Sequence, residues 1–132
     1  QAHDVAVTEQ QAAFALIHAA ENYALEGYFL QSQELWRRVA EDYPEYASRA
    51  LVGEAALALG AGDAEGALGL YERAEKSALT LAVREVAQLG YATCLERLGN
   101  LDAALVAIDL TDLPSDVRQA RRDGILRRRS VR

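Results

Sequence analysis

At 132 residues the chain is long enough for one domain with its own core and leaves little for a second. Apolar residues make up 51 % and charged residues 26 %, which excludes a disordered chain. No run of about 18 apolar residues occurs, which excludes a membrane span within this stretch. The net charge of −6 hides an uneven spread: residues 118–132 hold seven Arg against Asp123, and the other 117 residues are left at −12. An acidic body with one basic end is not the footprint of a nucleic-acid binder. Ala occurs 26 times, Leu 19 times and Pro twice, a composition that favours helices over strands. Cys94 is the single cysteine, so no internal disulfide forms. The sequence opens on Gln1 and contains no Met, which leaves an upstream signal or anchor, and the compartment, open.

In chain order, Thr8 with Gln11 three residues on reads as a capping box that opens a helix running to about Glu26. A second helix covers about Tyr28 to Asp42, and Pro44 marks the turn that follows. Further helices are predicted over about 45–59, 64–77, 81–98 and 101–109. A break at 111–115 holds Pro114, and a last helix, capped by Ser115, starts near Asp116 and fades in the Arg run. Its inward stripe is expected to be Val117, Ala120 and Gly124.

Three glycines, Gly27, Gly62 and Gly99, each follow an apolar helical pattern, at spacings of 35 and 37. Aligned on them, other positions agree. Seven residues before each glycine stand Ala20, Ala55 and Ala92; five after stand Ser32, Ala67 and Ala104; nine after stand Trp36, Tyr71 and Ile108. Each glycine suits the left-handed end of a helix, and Asp63 and Asn100 suit the cap of the next one. The expectation is three antiparallel helix pairs, with the small residues meeting where the two helices cross and the large one filling the space beside them.

This pattern resembles the tetratricopeptide repeat. The first unit supplies Leu16, Ala20, Tyr23, Gly27, Ser32, Trp36, Val39 and Pro44; the second Leu51, Ala55, Ala58, Gly62, Ala67, Tyr71 and Ala74; the third Ala92, Leu95, Gly99, Ala104 and Ile108. The third is degenerate, with Gln88 where a large apolar residue belongs, and the second and third lack the terminal Pro. The resemblance implies an all-α, right-handed solenoid forming a single domain over 1–132, with repeats at about 13–46, 48–81 and 85–116, then a capping helix and basic tail over 116–132.

It also implies a groove lined by the first helix of each unit: Phe14, Ile17, Glu21, Ala24 and Leu25; then Arg49, Val52, Ala56, Leu59 and Gly60; then Val86, Leu89, Thr93, Glu96 and Arg97. Phe14, Ile17, Val52, Val86 and Leu89 are expected to form an exposed apolar strip for a peptide or partner helix, unless residues 1–12 cover it. The Lys and Asn clamp with which some members hold a carboxylate is absent, since the corresponding places read Ile17, Glu21, Gly53, Val86 and Gly90.

The competing reading is an adaptor that binds an anionic partner (an acidic protein, a membrane surface or a nucleic acid) through Arg127, Arg128 and Arg129. No constellation points to an enzyme, a cofactor or a metal. His3 and His18 stand alone, Cys94 has no evident basic neighbour, and the glycine pair Gly60 and Gly62 lacks the Lys and Ser/Thr of a phosphate loop. The oligomeric state is left open.

Overall fold

The computed structural model describes the backbone of residues 2–131 and the side chains of residues 8–130. The described chain is all-α. Its helices are α1 (Ala2–Leu25), α2 (Phe29–Asp42), α3 (Ala47–Gly60), α4 (Ala64–Ser77), α5 (Leu81–Arg97), α6 (Leu101–Asp109) and α7 (Ser115–Val131), with a 3-10 turn at Pro44–Tyr46 before α3. Each helix packs on its neighbours in the chain, and α3 also touches α1 and α5. No strand occurs among the described residues.

The same turn is built three times. Gly27, Gly62 and Gly99 have φ of +87°, +88° and +82°, the left-handed region that only glycine enters without strain. In each turn the glycine N–H donates to the carbonyl three residues back (Ala24, Leu59, Glu96), and the next N–H donates to the carbonyl five back (Tyr23, Ala58, Leu95). This pair of bonds satisfies the last carbonyls of α1, α3 and α5. The next residue then opens the following helix. The Asp63 and Asn100 side chains accept from the Gly66 and Ala103 N–H groups at 2.9 and 3.4 Å, whereas Tyr28 offers no such bond.

Packing repeats with the turns. Ala20, Ala55, Ala92, Ser32, Ala67 and Ala104 are all fully buried, and the Ser32 hydroxyl donates to the Ala20 carbonyl at 2.7 Å where α1 and α2 cross. Small side chains there let the backbones approach, so Ala67→Leu should overpack the α3–α4 crossing and lower stability by about 1–3 kcal/mol in a denaturant titration. Trp36, Tyr71 and Ile108 are buried beside these crossings. Each abuts the next helix in the chain. A Cβ built on Gly53 of α3 would strike the Trp36 ring, and one on Gly90 of α5 would strike the Tyr71 ring. Ile108, the smallest of the three, shares its cluster with Ile125 of α7.

Three sequence expectations need correction. α1 begins at Ala2 rather than Thr8, because no Gly or Pro interrupts residues 2–8. α7 does not fade in the Arg run but continues to Val131. Its inward face is not Val117, Ala120 and Gly124: Val117 and Ala120 are exposed, Gly124 is half-buried, and Ile125 is buried with half-buried Arg118, Arg121 and Arg122 around it. Gln88, read as a degenerate position, is buried and functions as a tie. Its amide donates to Asp112 at 3.1 Å and Glu75 at 3.4 Å, and its carbonyl accepts from the Asp112 N–H at 2.8 Å, fixing the loop between α6 and α7.

Candidate functional site

The face made by α1, α3 and the start of α5 carries two apolar hollows. The first, about 380 Å³, is lined by Phe14, Ile17 and His18 of α1, by Tyr46 of the 3-10 turn and Arg49 of α3, and by Leu79 and Thr80 of the loop before α5 and Val83 of α5. Phe14 and Tyr46 meet edge to face with ring centroids 5.4 Å apart, which fixes the wall of this hollow. The second, about 410 Å³, lies between Glu21, Ala24 and Leu25 of α1 and Arg49, Val52, Ala56 and Gly60 of α3, with Phe29 and Trp36 of α2 behind them.

Arg49 divides the two hollows. Its guanidinium donates to Glu21 at 3.1 Å and lies over the Trp36 ring, 5.0 Å from the centroid. The partition is therefore planar, held on two sides and charge-neutral, with His18 3.8 Å from the same Glu21 carboxylate.

Of the residues expected to line the groove, Phe14, Ile17, Glu21, Arg49, Val52 and Ala56 come together around these hollows. The expected strip is not uniformly exposed, however. Phe14 is 42 % exposed and Val86 52 %, but Ile17 at 7 % and Val52 at 8 % belong to the core. Ile17 packs with Trp36, Val39 and Ala50, and Val52 packs with Tyr71 and Ala87, because both sit in seams between adjacent helices. Leu89 is half-buried against the cluster that holds Ile108 and Ile125.

The third section of the strip is altered most. Thr93 and Glu96 take Arg121 of α7 at 3.0 and 2.6 Å, while Arg97, on the same face of α5, donates to the Leu59 carbonyl at 3.5 Å. Residues 8–12 continue α1, and none of them lines either hollow. His3 lies outside the described side chains.

The Arg run is not a free cationic patch. Arg128 bonds Glu96 at 3.1 Å and Arg129 pairs with Asp102 at 3.1 Å, so two of the three expected anion contacts already hold carboxylates of the body; Arg127 is exposed. Leu79, missed by sequence reasoning as a lining residue, is 72 % exposed at the lip of the first hollow. Its signal was in the sequence: it stands between two helical patterns, just before Thr80, in a loop position that meets solvent.

Elsewhere, a hollow of about 610 Å³ between α2, α3 and α4 contains Glu54, whose carboxyl is pushed up from its ordinary value by burial, against the opposing pull of Arg37 and Arg73. Burial likewise raises the Cys94 thiol from its ordinary value, against the opposing pull of Arg97. No group of three or more metal-ligating side chains occurs among the described residues. Compared with known protein families and with curated proteins, the chain gives no match.

Proposed function

We propose that this chain is a tetratricopeptide-like solenoid of three helix pairs closed by a capping helix, and that it is a non-catalytic interaction module holding a peptide or partner helix on its inner face. The repeat reading is supported by the three matching glycine turns, by the buried small-residue crossings, and by the knob-and-seat series Trp36–Gly53, Tyr71–Gly90 and Ile108–Ile125. α7 enters this series as a further first helix. The positions that face the second helix in the other units are Asp123, Arg127 and Ser130 here, so its far side is polar, as a cap requires.

The observation that carries the binding reading is the pair of apolar hollows, side by side and separated by the Glu21–Arg49 partition. Apolar side chains of a partner enter the hollows, and their burial supplies the affinity without any bond being made or broken. The pairing of Arg128 with Glu96 and of Arg129 with Asp102 counts against the competing anion-adaptor reading.

Ala56→Glu and Leu79→Glu test the reading, since each places a charge at an exposed position on one hollow. Both variants should unfold within about 0.5 kcal/mol of the parent, as exposed substitutions do. Binding of a partner captured from native cell extract should fall at least about tenfold, because an unpaired charge is then buried at the contact. Undiminished binding by both variants would place the function on another surface.

A further inference from the structure

α7 is held to the body by a different kind of contact from the other helices. Among the described residues, Ile125 is its one buried side chain, while Val117 and Leu126 stand exposed. Beneath Ile125 lies a small apolar seat that includes Leu105 and Ile108. Three carboxylates surround it: Glu96 from α5, and Asp102 and Asp109 from α6. Glu96 is itself buried and receives Arg121 at 2.6 Å and Arg128 at 3.1 Å. Arg122 bonds both Asp109 oxygens at 2.6 Å, and Arg129 pairs with Asp102 at 3.1 Å. The buried Nε of Arg121 has no hydrogen-bond partner, so even the strongest of these contacts is incompletely satisfied.

These features make the seat acid-rimmed, and leave α7 held by one buried apolar side chain and a ring of ion pairs. The Arg122–Asp109 and Arg129–Asp102 pairs reach solvent, so each contributes little and is screened by salt. A terminal element of a stacked array opens without disturbing the units behind it. Without α7, residues 1–114 hold 18 acidic and 7 basic side chains, a net −11, which draws basic chains toward the seat.

We propose that the seat under α7 is a docking site for a basic amphipathic helix of another protein, one presenting Arg or Lys at the spacing of Arg121 and Arg128 with an aliphatic residue in the place of Ile125, and that α7 is its resident competitor. The evidence is charge complementarity around a fitted apolar contact, with α7 showing which chemistry the seat accepts. The proposal is independent of the two hollows on α1 and α3, and either can fail without the other.

The probe is a labelled synthetic peptide of residues 115–132, titrated into the full chain and into the full chain carrying Arg121→Gln and Arg128→Gln. The double substitution weakens the resident helix and leaves Glu96 without its cations. The peptide should bind the double variant at least about tenfold more tightly than it binds the parent, by removal of the intramolecular competitor. That binding should weaken at least about tenfold between roughly 50 and 300 mM salt, and should be lost when Glu96→Gln is added.

Equal binding to parent and double variant, or indifference to Glu96→Gln or to salt, overturns the proposal. A stable dimer of the double variant that takes up no peptide overturns it in favour of exchange between copies. Should the double variant fail to fold, amide exchange on the parent decides. Amides of α7 should exchange at least about tenfold faster than those of α3 to α5, and faster still at high salt. If α7 opens only with the whole molecule, it is not displaceable and the proposal fails.

Discussion

Trp36→Ala should be the most damaging truncation in the chain, lowering stability by about 3–5 kcal/mol in a denaturant titration. Trp36 is 3 % exposed and is packed with Ile17, Ala20, Val39 and Ala50. On its far side the ring meets Gly53, where no side chain of α3 is available to move into the space left behind. The cavity therefore stays open, and the cost follows the upper part of the range for large buried side chains. The loss also removes the surface on which Arg49 rests, so the partition between the two hollows loses one of its two supports. Partner binding on the inner face should fall even at temperatures where the variant stays folded. A loss below about 1 kcal/mol would mean that α2 and α3 do not meet through this ring.

Val52→Glu should unfold the domain or come close to it. Val52 lies in the cluster that joins α3, α4 and α5, beside Ala55, Tyr71 and Ala87, so the substitution drives a carboxylate into an apolar seam. A buried, unpaired charge costs several kcal/mol, against a total stability on the order of 5–15 kcal/mol for a domain. Ala56→Glu, one turn further along the same helix but exposed, provides the contrast. The two variants should differ by at least about 2 kcal/mol in thermal or denaturant unfolding. Equal, small effects would show that the inner face is open across the whole width of α3.

The features legible in the sequence are those set by local backbone chemistry. Gly27, Gly62 and Gly99 mark turns because a left-handed residue is needed there, and Ala20, Ser32, Ala55, Ala67, Ala92 and Ala104 mark crossings because nothing larger fits. Helix ends fall within a residue or two of the sequence reading except at the start of α1, where a capping box at Thr8 competes with an unbroken run of helix-tolerant residues, and at the end of α7, which runs on through the arginines.

What stayed hidden depends on the next helix along. Gly53 and Gly90 serve as seats for Trp36 and Tyr71, a role invisible until the following unit is laid against the preceding one. Ile17 and Val52 face inward on their own helices yet are covered by neighbours, so the exposed part of the candidate site is narrower than a helix wheel implies. Arginine is read by default as solvated, and that is why α7 was assigned the wrong inward face. Its guanidinium groups instead reach the carboxylates of α5 and α6, and that pairing turns the basic end from a free patch into a docked helix.

On the proposed function, a partner lies along the α1–α3 face. The most direct test is backbone amide shift mapping of the full chain with a peptide selected from a random library for binding to it. The largest shifts are expected at Phe14, Tyr46, Arg49, Ala56, Leu79 and Val83, the residues around the two hollows. Largest shifts on the outer surfaces of α2, α4 and α6, with those residues unmoved, would contradict it.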